Sequence, residues 1–439
     1  MVPWLAFQNP KVVQKAIMSC PITDISITDI RTFSGIHRAK LSRITLLVGK
    51  NRVGKSTFLG CLNALGQMAA LHELNDRTNF FNQKPFYMGS FESIVRSGCE
   101  SFHVALGLDK GLFHQFAINF AKGSDASLEE VKLEVQMYDR TSQPGPSLTI
   151  NREISEDGPE CWRFDGPKFQ FCLNQTEFSD SQFTTWLSRY IAHGNLPFSG
   201  DPGKFKKRVN DPMVRELAAF TKFVNFFRNY FRGPISPPRI IPIPPHAFGR
   251  ERKYSYNSIK ALSSNDDLEM INRIGRKLGL FEQLDVRKLS ADQFEILVNV
   301  SGSSYNLADV GNGVTRLLPF VITLGSAPPG TVFLLQQPEV RIHPSTQAKL
   351  IKMMAESDHA FVVETHSDHV IRWLQILIKE GVLESSDVSI IYFERVPEDK
   401  SATRLHQISF DRRANLSGHP PSYRLFFSRE MDRLLGFAT

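Results

Sequence analysis

The order of apolar and polar residues predicts a first region of strands and one helix. Residues 22–33 (ITDISITDIRTF) alternate between apolar and polar side chains, which is typical of a half-buried strand. Residues 44–49 (ITLLVG) form a continuous apolar run, and residues 55–68 (KSTFLGCLNALGQM) place apolar residues at helical spacing. Further short strands within residues 102–172, separated by Gly, Ser and Asp, predict an antiparallel subsheet.

The second region, from residue 174 to about residue 285, has a helical pattern and many basic residues. The spacing of apolar residues in 182–193, 213–231 and 268–281 is typical of helices. A proline-rich stretch, PISPPRIIPIPP, interrupts this pattern. Because proline cannot continue a helix, we expect this stretch to be an extended connector.

The third region, residues 294–410, alternates again between strand and helix patterns. Such alternation favours a mainly parallel sheet that is covered on both faces. We therefore predict an α/β fold with a three-layer core. We call this core the head. Residues 1–173 are expected to form its N-terminal part, including the antiparallel subsheet, and residues 291–439 its C-terminal part. Residues 174–290 are expected to form a helical basic insertion between them.

The composition is that of an ordinary globular protein. The chain has 439 residues, of which 41% are apolar and 22% are charged. It has no apolar run of the roughly 20 residues that a membrane span requires, and its first residues lack the pattern of a secretory signal. The five cysteines are odd in number and form no CxxC pair, which argues against a disulfide framework and a zinc site. We expect a cytoplasmic protein with no membrane contact.

The positive charge is concentrated in one part of the chain. Residues 196–260 contain 13 Lys or Arg and four Asp or Glu, so this window carries +9 while the whole chain carries +7. Three interpretations of this window stay open: a solvated face, contact with nucleic acid through residues 204–260, and contact with an acidic protein partner. Aromatic residues interleave with the cations, as on nucleic-acid-binding surfaces, but their helical spacing also fits a core.

The strongest chemical signal is GKNRVGKST, residues 49–57, which satisfies GxxxxGK[ST] between a predicted strand and a predicted helix. Glycines let such a loop bend around phosphates, and backbone N–H groups and the helix N-terminus bind the anion. We expect Lys55 to reach the β and γ phosphates and Ser56 to bind Mg²⁺. The residues expected to bind ATP in this loop are Gly49, Asn51, Arg52, Val53, Gly54, Lys55, Ser56 and Thr57.

Four segments in a fixed order resemble the motifs of the ABC/SMC-like branch of P-loop ATPases. The loop reads GxNxxGKST, and residues 307–319 (LADVGNGVTRLLP) resemble the signature loop and helix. Residues 332–347 (VFLLQQPEVRIHPSTQ) resemble the Walker B strand and its loop, and residues 361–369 (FVVETHSDH) resemble the strand that ends in the switch histidine. Their form resembles OLD-like standalone ATPases, such as those of bacterial anti-phage defence modules. The resemblance implies a P-loop NTPase core of ABC-ATPase type.

The resemblance also implies a shared nucleotide site. In this branch ATP lies between two heads, one of which supplies the P-loop and the other the signature helix. A homodimer, or a larger assembly of such dimers, is therefore expected, with Gly311 and Gly313 near the γ-phosphate. Arg316 on the same helix is a further candidate for phosphate binding. Taken singly, the two glycines are more typical of an ordinary loop before a helix.

The Walker B segment carries Gln336 and Gln337, where an ordinary ATPase of this branch has two acids. The first acid holds the water shell of Mg²⁺, and the second orients or deprotonates the attacking water. An amide oxygen accepts hydrogen bonds from metal-bound water, but it takes up no proton and adds no charge. Gln336 is expected beside Mg²⁺, and the catalytic candidates are Gln337, Glu339 and His366. Hydrolysis should therefore be slow.

The sequence favours an ATP-binding, slowly hydrolysing ATPase that senses a trigger and regulates a separately encoded effector, a toxin or a nuclease, in anti-phage defence. One alternative is a scaffold that binds ATP and assembles a complex without turnover. A second is a DNA-repair ATPase of the RecF or SMC kind. This alternative is less favoured, because no long run of heptads separates the two halves of the chain.

Overall fold

The structure of the protein is a computed structural model. The described residues are 20–69, 81–109, 113–122, 128–138, 144–153, 161–166, 169–174, 239–244, 251–259, 262 and 264–423. The helices predicted at 182–193 and 213–231, and most of the basic window, lie outside the described residues. The described part contains three sheets, of which one is mixed and two are antiparallel.

The central sheet has seven strands. From one edge to the other they are β10 (Ile240–Ile243), β14 (Val332–Gln336), β15 (Ala360–Glu364), β3 (Ile44–Gly49), β16 (Val388–Arg395), β17 (Thr403–Phe410) and β18 (Leu416–Ser417). The first five are parallel, and the last two are antiparallel to their neighbours. Both β3 and β15 are buried along their whole length, as expected for strands covered on both faces. The P-loop strand β3 is therefore next to β15 and one strand away from β14.

Side chains of the central sheet alternate between two apolar cores. In β14, Phe333 and Leu335 belong to one core, and Val332 and Leu334 belong to the other. The described helices are α1 (Lys55–Ala69), α2 (Phe91–Ile94), α3 (Tyr256–Ile259), α4 (Asn265–Leu278), α5 (Asn312–Ser326), α6 (Pro344–Glu356) and α7 (Asp368–Lys379). The first core contains side chains of α4 to α7, and the second contains those of α1. The three-layer α/β fold predicted from the sequence is confirmed.

An eight-stranded antiparallel sheet contributes to the second core. Its order is β2 (Phe33–Lys40), β1 (Ile22–Ile30), β4 (Ser101–Leu108), β5 (Phe113–Lys122), β6 (Leu128–Tyr138), β7 (Pro144–Glu153), β8 (Cys161–Gly166) and β9 (Phe169–Asn174). The antiparallel subsheet predicted for residues 102–172 is confirmed, and it continues into β1 and β2. The sequence pattern did not indicate β2, because its Ile36 is an apolar residue that is 79% exposed.

A small antiparallel sheet, β11 (Gln283–Lys288), β12 (Phe294–Val300) and β13 (Ser303–Asn306), precedes α5. Leu284, Ile296 and Val298 connect it to the first core. No helix among the described residues is long and apolar enough to cross a membrane.

The proline-rich stretch predicted as a connector contains an edge strand of the central sheet. Residues 240–243 are extended, as predicted, but they form β10 and pair in parallel with β14. An edge strand has one unpaired side, so the missing N–H of Pro242 is tolerated there. Helix α1 packs closely on β10, since a Cβ at Gly66 would lie 2.5 Å from the Cβ of Ile240. Strand β10 and α4 thus pack with the head, and the division of the chain at residues 174 and 290 stays a prediction.

Candidate functional site

The loop GKNRVGKST joins the carboxyl end of β3 to the first turn of α1, as the sequence predicts. Gly54 has a φ of 96°, and a Cβ there would lie 2.8 Å from the ring of Phe33, so this position requires glycine. The loop also contains Arg52 at a φ of 63°. Its backbone turns around a concave space in front of α1, which is the place where a P-loop binds phosphates.

This space is a cavity of about 420 Å³. Among the described residues, six of those that line it come from the loop and the start of α1, two come from the turn between β1 and β2, and one comes from the end of β15. They are Asn51, Arg52, Gly54, Lys55, Ser56, Thr57, Arg31, Thr32 and Glu364. Gly49 and Val53, which the sequence predicts as further binding residues, form the backbone of the same loop, with the side chain of Val53 buried beneath it.

Lys55 is buried at the base of the cavity, with 3% of its side chain exposed. Its Nζ donates to the carbonyl oxygens of Gly49 at 2.9 Å and Lys50 at 2.7 Å. Burial lowers the pKa of the ammonium group, and the carboxylate of Glu364, 3.8 Å from Nζ, opposes this effect. The lysine is therefore a desolvated cation held by neutral carbonyls, which an anionic phosphate group can replace.

Glu364 is a cavity residue that the sequence reasoning missed. It is the last residue of β15 and is buried, and its Oε2 accepts a hydrogen bond from Ser56 Oγ at 3.1 Å. In the sequence it appears only as the acid that ends the apolar run FVVE, immediately before the switch-histidine segment. A carboxylate at the end of a buried parallel strand was the available signal, because strand ends of this kind face the P-loop in such sheets.

Gln336 and Gln337 lie at the end of β14, next to Glu364. Gln336 and Glu364 are paired in register across the two parallel strands. The N–H of Gln337 donates to the carbonyl oxygen of Glu364 at 2.8 Å, and Gln337 has a φ of 43°. A positive φ is unfavourable for glutamine, so the surrounding hydrogen bonds hold this residue in place.

Glu339 connects the loop after β14 to the turn after β15. Its Oε1 accepts from the hydroxyl of Thr365 at 2.7 Å and from the backbone N–H of His366 at 3.2 Å. Its Oε2 is buried and has no hydrogen-bond partner among the described residues. Burial raises the pKa of this carboxyl, while the hydrogen bonds and Arg316 oppose the rise. The lining of the cavity, over the described residues, does not include Glu339.

His366 follows β15 and is affected electrostatically by the P-loop. Its pKa is lowered, first by burial and second by the charge of Lys55, and Glu364 partly offsets both. The imidazole is therefore neutral at pH 7, a state in which one ring nitrogen donates and the other accepts a hydrogen bond. This protonation state is the one that suits positioning of a water molecule.

The signature helix α5 begins outside the cavity. Gly311 is exposed and precedes the helix, and Gly313 is its second residue. A Cβ at Gly313 would lie 3.4 Å from Ile342 Cγ2, an ordinary contact distance, so the chain's own packing does not require glycine there. Among the described residues, the cavity lining includes neither glycine.

Arg316, considered from the sequence as a phosphate ligand, contacts the Walker B segment of its own chain. Its Nη2 donates to the carbonyl oxygen of Gln337 at 2.9 Å and approaches that of Gln336 at 3.5 Å. Burial lowers the pKa of its guanidinium. The arginine therefore holds α5 against the end of β14.

Three further residues position the P-loop, and the sequence reasoning missed all of them. Arg31 donates to Thr57 Oγ1 at 3.3 Å and to the carbonyl oxygen of Met88 at 2.7 Å. Thr403, at the start of β17, donates its hydroxyl to the carbonyl oxygen of Val53 at 3.0 Å. Arg395 donates to the carbonyl oxygen of Arg52. No short motif identifies such contacts, because they join segments that are distant in sequence.

Comparisons with known proteins give one family match and distant structural similarities. The family model described as "AAA domain, putative AbiEii toxin, Type IV TA system" matches residues 191–372, which contain the signature, Walker B and switch-histidine segments. The P-loop precedes that range. A comparison with curated proteins found no match.

Three solved structures illustrate the structural similarity. An SMC head bound to the C-winged helix domain of ScpA has 13% identity and a TM-score of 0.40, over 89% of this chain and 98% of that chain. The SMC head domain from Thermotoga maritima has 10% identity and a TM-score of 0.36, over 88% and 97%. The Smc head domain with an extended coiled coil, bound to the C-terminal domain of ScpA, from Pyrococcus furiosus has 11% identity and a TM-score of 0.40, over 88% and 96%.

Proposed function

We propose that this chain, a P-loop ATPase of the ABC/SMC-like kind, binds ATP with Mg²⁺ in the cavity in front of α1 and hydrolyses ATP slowly. The observation that carries the proposal is the arrangement of Lys55, Ser56 and Glu364 around that cavity. Lys55 supplies a desolvated cation for the β and γ phosphates, and the N-terminus of α1 adds its partial positive charge.

The oxygen groups at this cavity fit Mg²⁺. The ion prefers oxygen ligands, keeps several waters, and is commonly held by one or two protein oxygens together with phosphate oxygens. The hydroxyl of Ser56 and the carboxylate of Glu364 are adjacent in the cavity, and the amide of Gln336 is at the neighbouring strand end. Bound there, Mg²⁺ would offset the negative charge of the phosphates.

We further propose that two copies of the chain close around the nucleotide. The N-terminus of α5 is exposed at Gly311, and the described cavity lining contains no part of α5. A helix N-terminus with backbone N–H groups and no side chain at Gly313 can approach a phosphate of a second copy. This supports a homodimer, or a larger assembly of such dimers, whose closure depends on ATP.

Slow hydrolysis follows from the chemistry of the groups that come directly after β14 and β15. Gln337 orients a water through its amide but cannot take up its proton. Glu339 directs one carboxylate oxygen at Thr365 and His366, so its effect on the site passes through the position of His366. The neutral imidazole of His366 is the remaining group that can hold the water. With such slow hydrolysis, the protein acts as a switch whose ATP-bound state ends only after a delay.

The switch is proposed to control a separately encoded effector. The matched family carries the words "putative AbiEii toxin, Type IV TA system", which supports a place in a module of two or more components. We propose that closure and reopening of the ATP-bound dimer regulate a toxin or nuclease in anti-phage defence. The trigger is either a nucleic acid, bound through residues 204–260, or a foreign protein.

The nucleotide site is tested by isothermal titration calorimetry with ATP and Mg²⁺. Lys55→Ala should lose ATP binding, whereas Lys352→Ala, which removes an exposed lysine of α6, should bind as the parent does. ATP binding that survives in Lys55→Ala at the parent's affinity would refute the proposed nucleotide site.

The shared site is tested by analytical ultracentrifugation with a nonhydrolysable ATP analogue. Gly313→Glu places a carboxylate where the second copy's phosphate would lie, so it should bind ATP but remain monomeric. Ser326→Glu, which adds the same charge at the other end of α5, should dimerise as the parent does. Dimerisation of Gly313→Glu at the parent's ATP concentration would contradict the shared site.

The scaffold without turnover is the second candidate, and the amide at Gln337 favours it. A scaffold and a slow ATPase both assemble with ATP, but they differ in the fate of the nucleotide. In a single-turnover experiment with labelled ATP and excess protein, the switch converts bound ATP to ADP and the dimer then dissociates. The scaffold retains intact ATP and stays assembled over the same period.

A further inference from the structure

We infer that Glu364 supplies the carboxylate of the Mg²⁺ site, from β15, in place of the acid that is missing at Gln336 on β14. The inference rests on the proposed binding of ATP with Mg²⁺. The carboxylate would then come from the strand next to the P-loop strand. It would contact the ion directly or through one of the water molecules bound to the ion.

The spacing of the oxygen atoms fits this role. Two cis ligands of an octahedral Mg²⁺ with bonds of about 2.1 Å lie about 3.0 Å apart. The distance between Ser56 Oγ and Glu364 Oε2 is 3.1 Å. The hydroxyl that a P-loop directs at its metal and this carboxylate are therefore already separated as two ligands of one ion would be.

Strand order explains how a carboxylate on β15 can take the role of one on β14. Neighbouring strands lie about 4.8 Å apart, so β14 is about twice as far from β3 as β15 is. Gln336 and Glu364 are register partners, and paired residues of parallel strands project to the same face at the same level. A Glu on the nearer strand thus reaches the same region as an acid on the farther one.

The charges around the cavity favour a carboxylate as a ligand of Mg²⁺. Over the part of the chain that the structure describes, the lining contains three cationic side chains, Arg31, Arg52 and Lys55, and one carboxylate, Glu364. The two residues at the end of β14 are neutral amides and add no charge to attract a divalent cation. Without Glu364, Mg²⁺ would approach Lys55 with only the nucleotide to offset the repulsion.

A different role for Glu364 would be to fix the empty P-loop through Ser56 and Lys55. The two roles differ in their dependence on the metal. A group that only shapes the loop affects nucleotide binding equally with Mg²⁺ and with EDTA, whereas a metal-site carboxylate affects only the binding that Mg²⁺ adds.

The test compares the affinity for a fluorescent ATP analogue in Mg²⁺ and in EDTA. The parent should bind more tightly with Mg²⁺, and Glu364→Gln, which keeps the shape and removes the charge, should lose roughly 10-fold or more of that gain. Its affinity in EDTA should match or exceed the parent's, because Lys55 loses a competing partner. Glu394→Gln is the matched control. It removes a carboxylate of β16 that pairs with His406 of β17, and it should behave as the parent does.

A reciprocal variant separates the metal role from a structural one. Gln336→Asp in the Glu364→Gln background returns one carboxylate to the paired position on β14, and it should restore most of the Mg²⁺-dependent gain. Glu364→Asp keeps the charge on β15, should lose only a few-fold, and provides the comparison if Glu364→Gln does not fold, as judged by thermal unfolding.

Each outcome bears on the inference separately from the proposed function. Equal loss of affinity in Mg²⁺ and EDTA, or no loss in either, would overturn the role of Glu364 while leaving the nucleotide site intact. Failure of Gln336→Asp to restore any of the gain would overturn it as well. If the parent itself binds no nucleotide in either condition, the proposed function fails.

Discussion

The hydroxyl of Thr365 donates to Oε1 of Glu339 at 2.7 Å, across two loops that follow neighbouring strands. The same oxygen accepts the backbone N–H of His366. One buried carboxylate therefore connects the Walker B loop to the turn that carries the switch histidine. A change in its charge acts on both the stability of the head and the position of His366.

Stability should depend on pH through Glu339. Burial raises the pKa of this carboxyl in the folded state above its ordinary value of 4.5, so the folded state binds the proton more tightly than the unfolded state does. The contribution to stability is complete below pH 4.5 and is lost as the pH rises through the raised pKa. Glu339→Gln cannot lose a proton, so its stability relative to the parent should increase over that interval.

Chemical denaturation of the parent and Glu339→Gln at several pH values checks this sign. The raised pKa of Glu339 would be contradicted if the difference in free energy of unfolding between the two proteins did not change with pH. It would also be contradicted if Glu339→Gln became less stable relative to the parent as the pH rises. Hydrolysis gives a second readout. Since the carboxylate positions His366, Glu339→Gln should remove most of the remaining turnover while ATP binding persists.

Gln337→Glu should accelerate ATP hydrolysis. A positioned general base commonly contributes about 10²- to 10⁴-fold to the rate, and the amide at this position cannot act as one. Single-turnover hydrolysis of labelled ATP measures the effect, and Gln293→Glu, in the exposed loop before β12, controls for the added charge. A rate for Gln337→Glu equal to the parent's would show that the missing base does not limit turnover.

The rate of hydrolysis should fall at acid pH because of His366. Its pKa lies below the ordinary value of 6.5, mainly through burial and also through Lys55, so the neutral form predominates at pH 7. The rate should decrease as the pH falls through the lowered pKa, and this decrease should lie at a lower pH than it would for an unperturbed imidazole. His366→Ala should have a much lower rate and lack this decrease. An acid limb that persists in His366→Ala must come from another group.

Thr403→Val should weaken both the fold and ATP binding. The hydroxyl of Thr403 satisfies the buried carbonyl of Val53, and loss of one partner of a buried hydrogen bond costs about 1–3 kcal/mol. Since that carbonyl belongs to the P-loop, affinity for ATP should fall together with the melting temperature. Thr403→Ser keeps the hydroxyl and should retain most of both. Equal behaviour of the two variants would show that the effect does not come from the hydroxyl, because only Thr403→Val removes it.

Replacement of Lys204, Lys206, Lys207 and Arg208 with Ala tests the basic window, which lies mostly outside the described residues. If these side chains contact phosphates, nucleic-acid affinity should decrease and its dependence on salt should become less steep, because fewer counterions are released. Binding measured at several salt concentrations checks both effects. An unchanged slope, or no binding by the parent, would favour a solvated face.

Local sequence determined the parts of the site that one short segment builds alone. The P-loop is such a segment, because its glycines, Lys55 and Ser56 lie within nine consecutive residues and need only β3 and α1 on either side. The buried strands could also be predicted from the sequence, because continuous apolar runs such as ITLLVG require burial on both faces whatever their neighbours are. The α/β class and the order of the four motifs followed from these patterns.

Tertiary structure decided which distant residues meet the P-loop. Ser56 and Glu364 are 308 positions apart, and they are adjacent only because β15 pairs directly with β3. Along the chain Glu339 is the closest carboxylate to Gln337, and the motif therefore predicts Glu339 in the place of the missing acid. Distance along the chain does not reveal the order of strands in a sheet. The crossover helices of a parallel sheet can separate strands that are consecutive in sequence. The position of Glu364 beside the phosphate loop is a consequence of that order.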